Sequence, residues 1–121
     1  MLAAACIAVL PVTGQAQDSP FSANEVMKGC RAFIAKTNPE TESGRFLRGV
    51  CVGAVHTLSG TARSLQEAGV EALGICIPKG VPVNQQVRVV AAYIDARPNR
   101  LHEDFRALTL EAFKDAWPCK R

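Results

Sequence analysis

The stretch VPVNQQVRVVAAYIDARP, residues 81–98, decides between a helical and a mixed fold. Its many valines favour a strand if β-branched content alone is considered. However, four apolar residues recur at spacings of four, three and four, which is the period of one helix face: Val83, Val87, Val90 and Ile94. Pro82 also suits the first position of a helix. We therefore predict a helix that ends before Arg97-Pro98.

The segment before this stretch predicts a helical hairpin. Ser22 and Glu25 form a capping-box pattern, and Phe21 and Val26 stand where a hydrophobic staple would be, so a first helix is expected over about residues 23–36. A second, longer helix begins near residues 41–43, and Gly69 suits the left-handed position just beyond its end.

Three glycines inside the second helix are unusual, because each costs about 1 kcal/mol relative to alanine. Gly49, Gly53 and Gly60 are therefore expected to allow another backbone to approach closely.

A fourth helix is expected over about residues 101–117, and Pro118 stops it because proline has no N–H to donate. Its apolar residues form two neighbouring stripes. They predict either a helix packed on two sides within a monomer or a homodimer surface. Four helices with short connections predict an all-α fold, a small four-helix bundle made of two helical hairpins and stapled by disulfides.

Length and composition bound the function classes. A chain of 121 residues with 48% hydrophobic and 21% charged residues is expected to form one globular domain. The net charge is +3, and Lys and Arg are scattered among Asp and Glu. This pattern predicts no nucleic-acid face.

The first 16 residues resemble a secretory signal peptide. The run from residue 2 to residue 12 is almost wholly apolar, and Gly14 and Ala16 are small residues at the −3 and −1 positions of a cut after Ala16. The run is short for a membrane span. We expect residues 1–16 to be removed on export to the periplasm and residues 17–121 to form a single domain with no membrane association.

Four cysteines remain after this cleavage: Cys30, Cys51, Cys76 and Cys119. An even number in a small exported domain predicts two disulfides, for which three connectivities exist. No C-x-x-C pair is present, and the two histidines, His56 and His102, lack the usual zinc spacing. No metal or other cofactor is expected.

The predicted hairpins select one connectivity. Cys30 lies ten residues before Glu40, the centre of the first loop, and Cys51 lies eleven after it, so the two should stand opposite each other. Cys76 and Cys119 both fall at the open end of the second hairpin. The expected pairs are Cys30–Cys51 and Cys76–Cys119, each contributing about 3–4 kcal/mol on the chain-entropy model.

The sequence contains no recognisable catalytic pattern, so we expect a binding protein and no enzyme. His56 lies beside the apolar stripe of the second helix and is expected to be a hydrogen-bonded structural residue. His102 is expected at the solvated start of the fourth helix. Glu103 and Asp104 are explained there by the favourable field of a helix N-terminus.

Several of these features together resemble a known family. Cys76-Ile77-Pro78-Lys79-Gly80, the Val-rich helix ending in Arg97-Pro98, and Trp117-Pro118-Cys119 are joined upstream by Gly29-Cys30 and Cys51-Val52-Gly53. This layout is similar to that of the Rap/Tai family, periplasmic immunity proteins against type VI secretion amidase effectors. The resemblance implies an all-helical fold, a periplasmic location, a homodimer, and function by plugging a peptidoglycan amidase. Pro82 stands where the family usually has Thr or Ser.

No motif marks the effector-binding residues, so only exposed loops can be named. The polar loop of residues 38–44 and the turn of residues 67–74 are the two candidates, since loops on a rigid scaffold commonly carry recognition. Their candidate contact residues are Asn38, Glu40, Glu42, Glu67 and Glu71.

The alternative function is a small periplasmic acid-stress chaperone, which shares the size, helices and disulfides. Two histidines give such a protein little switching capacity near pH 5–7.

Overall fold

The computed structural model describes Ala5, residues 7–9 and residues 19–120. The predicted signal peptide, residues 1–16, lies mostly outside this part and stays a prediction. Four helices occur in chain order: α1 (Ala23–Ile34), α2 (Glu42–Glu67), α3 (Val83–Asp95) and α4 (Phe105–Ala116), with a short 3₁₀ turn at Pro98–Arg100. The described residues form no strand, and two disulfides are present. The predicted all-α, disulfide-stapled bundle is confirmed.

Helices α1 and α2 form the first hairpin, and both begin at side-chain caps. The Ser22 hydroxyl accepts the Glu25 N–H at 3.4 Å, and the Thr41 hydroxyl accepts the Gly44 N–H at 3.0 Å. The reciprocal half of the predicted capping box is not made. Instead, the Ser22 N–H donates to the Ser19 carbonyl and the Glu25 carboxylate accepts from Lys28, each at 2.8 Å.

The two helices touch most closely at Gly29. This residue is buried, and a Cβ atom there would overlap the carbonyl group of Leu47 on α2. One residue further along, the Cys30–Cys51 disulfide joins the helices with a Cα–Cα distance of 5.3 Å. The glycine that permits the close approach is therefore on α1.

The close approach predicted for the glycines of α2 is wrong. Gly49, Gly53 and Gly60 are exposed, and a Cβ atom at each position would meet nothing within 4 Å. These glycines lie on the outer face of α2, so they contribute no packing that would offset their low helix propensity.

Helices α3 and α4 form the second hairpin, and α4 starts four residues later than predicted, at Phe105 instead of residue 101. The intervening backbone is used elsewhere: the Ala23 N–H donates to the Glu103 carbonyl at 2.9 Å, and the Asn24 N–H donates to the Leu101 carbonyl at 2.8 Å. These bonds satisfy the first N–H groups of α1, and they join the start of α1 to the turn before α4.

The core fills the space between the hairpins. Its largest fully buried side chains include Phe105, Phe113, Met27, Ile94 and Leu108. The second apolar stripe of α4, formed by Leu110, Phe113 and Trp117, is partly covered, because Phe113 is fully buried and the other two are half-buried against this core. Packing on two sides within the monomer therefore accounts for part of the wide apolar face of α4. In the described part of the chain, no helix combines the length and apolar character needed to cross a bilayer.

Candidate functional site

The connection between α2 and α3 begins with a fully exposed loop. Every residue from 67 to 73 is exposed, and two of them have large apolar side chains, Val70 at 45% and Leu73 at 39%. We call residues 67–74 the distal loop. Because loops on a rigid scaffold commonly carry recognition, these two side chains make the loop a candidate contact surface for another protein.

The distal loop leaves α2 through a defined helix end. Gly69 has a φ of +78°, its N–H donates to the Gln66 carbonyl at 3.0 Å, and the Val70 N–H donates to the Leu65 carbonyl at 2.8 Å. This pair of bonds is a Schellman motif. The predicted role of Gly69 beyond the helix end agrees with this geometry, and the motif fixes the direction in which the chain leaves α2.

The far side of the distal loop closes in a tight turn. The Gly74 N–H donates to the Glu71 carbonyl at 2.9 Å, and Gly74 has a φ of +65°. The aliphatic part of Lys114 on α4 lies against this glycine. A side chain at position 74 would be strained by the backbone conformation as well as crowded.

The base of the distal loop is fastened to the chain's C-terminal segment. The Cys76 N–H donates to the Trp117 carbonyl at 2.8 Å, and the Cys119 N–H donates to the Gly74 carbonyl at 3.2 Å. The Cys76–Cys119 disulfide adds a covalent link, with a Cα–Cα distance of 4.8 Å. The spacing of the cysteines predicts this bond, but no sequence signal indicated the two backbone bonds beside it.

The other candidate region, residues 38–44, is mostly exposed and runs into the first residues of α2. The Arg45 guanidinium donates to the Pro39 carbonyl at 3.1 Å and to the Glu40 carbonyl at 2.9 Å. Both bonds draw the loop back toward the helix. The next residue, Phe46, is 64% exposed, so this end of α2 also presents an apolar side chain.

The structure does not bring the candidate contact residues together, although all five are exposed. Three lie before or at the start of α2, and two lie at or beyond its end: Asn38, Glu40, Glu42, and Glu67, Glu71. Helix α2 has 26 residues and so spans about 39 Å. A single narrow cleft in a partner therefore accommodates only one of the two regions, so residues 38–44 and the distal loop are alternative binding sites.

The described residues offer little metal-binding chemistry. The carboxylate of Glu71 lies within 4.8 Å of the sulfur atoms of Cys76 and Cys119, but both sulfurs are in the disulfide and supply no thiolate. The structural role predicted for His56 is wrong, because this residue is exposed on α2. His102 is exposed, as expected, and it precedes α4.

Charged groups with shifted pKa values gather at the turn between α3 and α4. Arg100 donates to Glu103 and Glu111, and these hydrogen bonds lower the pKa of both carboxyl groups. The Arg106 guanidinium lowers the pKa of Asp104 to about 2. Asp104 also caps α4 by accepting the Arg106 N–H at 2.8 Å. These interactions stabilise the turn and leave no carboxyl group poised for proton transfer there.

Comparison with known proteins identifies the fold that carries the distal loop. The family model of the Rap1a immunity proteins matches residues 22–119, which include all four helices, both disulfides and the loop. This chain belongs to the Rap1a immunity proteins. No curated protein and no solved structure gives a significant match. Because the protein belongs to an immunity family, it binds a cognate effector and is classed as an inhibitor.

Proposed function

We propose that this Rap1a protein acts in the periplasm, where it binds a type VI secretion peptidoglycan amidase and blocks its cleft with the distal loop. The observation that carries this proposal is an exposed loop with two large apolar side chains, whose base is fixed by a disulfide. Family membership supports an effector as the partner. The amidase as its class rests on the resemblance described for the sequence.

The proposed mechanism is steric exclusion. Val70 and Leu73 enter the cleft and lose their solvent exposure, which drives association because both are apolar. The Schellman end of α2 and the Cys76–Cys119 disulfide hold the loop before binding, so little conformational entropy is lost on docking. Peptidoglycan peptide is then excluded without any chemical step by the inhibitor.

The first experiment asks which end of α2 binds the effector. Val70→Asp places a charge in the proposed contact, and Phe46→Asp places the same charge at the opposite end of the helix. A central apolar anchor contributes about 2 kcal/mol or more, which is about 30-fold in Kd. We expect Val70→Asp to weaken binding to an amidase encoded nearby by that factor and Phe46→Asp to leave it unchanged.

The readouts are calorimetric binding and hydrolysis of purified peptidoglycan. Wild-type protein should abolish hydrolysis at equimolar concentration, whereas Val70→Asp should not. A loss of binding only in Phe46→Asp would move the contact to residues 38–44. If the wild-type protein binds no such amidase and protects no cell from a neighbour armed with type VI secretion, the amidase proposal is wrong.

We also propose that the exported chain begins at Gln17 and forms a homodimer. The first is checked by N-terminal sequencing of protein recovered from the periplasm. The second is checked by light scattering of the purified domain. Leu110 and Trp117 on the second stripe of α4 are only half-buried within the monomer, so this stripe stays a candidate surface for the dimer.

A further inference from the structure

A small cavity lies where the end of α1, the second turn of α2 and the start of α3 meet. It has a volume of about 140 Å³ and is lined by Phe33, Ile34, Lys36, Arg48, Asn84 and Arg88. It is near the opposite end of α2 from the distal loop, so the proposed inhibition does not use it.

The charges around this cavity are of one sign. Three of the lining side chains are cationic and none is acidic. Three other arginines of the described chain are paired with carboxylates: Arg31 with Asp95, Arg100 with Glu103 and Glu111, and Arg106 with Asp104. Arg45, Arg63 and Arg97 donate instead to backbone carbonyls.

By contrast, no described carboxylate lies within 4.0 Å of the charged groups of Lys36, Arg48 or Arg88. Like charges gathered in one concave site repel each other, and an anion placed among them removes that repulsion.

Arg48 gives a second, independent indication. Its Nε atom is buried and makes no hydrogen bond to the described residues. Its guanidinium lies over the Phe33 ring at 5.3 Å, so the side chain is held in place. A buried N–H without an acceptor is costly, so a ligand oxygen that displaced the groups covering Arg48 Nε would be favoured there.

The rest of the lining indicates the kind of anion. Phe33 and Ile34 form an apolar wall beside the cationic groups, and a guanidinium matches the two oxygens of a carboxylate. The start of α3 adds a favourable field, since its N-cap, Pro82, makes no side-chain cap. We propose that this cavity binds a carboxylate carried on a short aliphatic chain.

The test uses the buried N–H of Arg48 as a reporter. Sodium butyrate is titrated into ¹⁵N-labelled protein at constant ionic strength, with sodium chloride as the reference, and the Arg48 Nε–H resonance is followed. We expect a saturable shift with butyrate and none with chloride. Acetate should bind more weakly, because it has less apolar surface to place against Phe33 and Ile34.

Two variants separate the cavity from general charge effects. Arg88→Gln removes an exposed lining cation, so the fold should survive, and butyrate binding should weaken by about tenfold, the usual effect of losing one charge-assisted hydrogen bond. Lys120→Gln removes one positive charge from the C-terminal segment and should leave binding unchanged.

Butyrate should also raise the Tm of the wild-type protein and of Lys120→Gln, with a stabilisation that grows as the logarithm of 1 + [butyrate]/Kd. Equal binding by Arg88→Gln and wild type would overturn the proposal, as would a shift that stays linear in butyrate. Inorganic phosphate binding as tightly as butyrate would contradict the assigned class of ligand.

Discussion

At the scale of single residues, the glycines divide into one that packing requires and three that it does not. Gly29 is buried against the Leu47 carbonyl, whereas Gly49, Gly53 and Gly60 face open space. Sequence alone assigns the close approach to the wrong helix, because composition reveals a glycine's conformational cost but not the face on which it lies.

The contrast gives a matched pair of substitutions. Gly29→Ala should destabilise the fold by about 1–3 kcal/mol, because its methyl group forces α1 away from α2 beside the Cys30–Cys51 bond. Gly53→Ala adds the same methyl group in open space and should stabilise α2 by up to about 1 kcal/mol. Urea denaturation of the oxidised proteins measures both; a loss of stability in Gly53→Ala would show that this face of α2 is covered.

At the scale of elements, the parts of the fold that depend on local chemistry follow from the sequence. The caps at Ser22 and Thr41, the helix end at Gly69 and the stop at Pro118 all rest on the residue's own hydrogen bonds or dihedral angles. The start of α4 does not follow, because the carbonyl groups of Leu101 and Glu103 accept hydrogen bonds from the first turn of α1. The base of the distal loop is likewise set by partners distant in sequence.

Because of the ion pair at the N-terminus of α4, we expect the free energy of unfolding to depend on pH in the acid range. Arg106 lowers the pKa of Asp104 from 3.8 to about 2. Because the folded-state value is the lower one, the stabilisation is complete above about pH 4 and is lost as pH falls toward 2. The pair is more than a third exposed, so this contribution is at most about 1 kcal/mol.

Asp104→Asn removes the charge but keeps the helix cap, because asparagine also caps helices well. The difference in unfolding free energy between wild type and variant should be largest above pH 4 and should vanish near pH 2. Glu71→Gln, which removes an exposed loop carboxylate, is the control. A difference that stays constant from pH 5 to pH 2 would contradict the role of the Arg106 pair.

Two further carboxyl groups near the start of α4 bear on the alternative function as an acid-stress chaperone. Glu103 and Glu111 also have pKa values lowered by hydrogen bonds from Arg100. Their ion pairs therefore persist in mild acid and hold the turn before α4 closed. ANS fluorescence should accordingly stay flat from pH 7 to pH 4, whereas a chaperone switched on in this range would bind the dye.

At the scale of the whole molecule, the two disulfides have different structural roles. Cys30 and Cys51 are fully buried and hold α1 to α2 inside the core, whereas Cys76 and Cys119 are half-buried and fasten the distal loop to the C-terminal segment. Hairpin geometry predicts both pairs from sequence. Their unequal burial depends on how the two hairpins pack, which no local pattern determines.

This difference predicts the order in which the bonds are reduced. A thiolate must reach a sulfur atom to open a disulfide, so dithiothreitol under native conditions should reduce Cys76–Cys119 first. The intermediate, trapped by alkylation and mapped by mass spectrometry, should keep its helical circular dichroism while losing about 4 kcal/mol of stability on the chain-entropy model. The double variant Cys76→Ala/Cys119→Ala should show the same stability without reductant.

In this double variant the distal loop has lost the covalent link at its base, so effector binding should weaken even though Val70 and Leu73 are unchanged. Simultaneous labelling of all four cysteines would instead mean that reduction follows global unfolding.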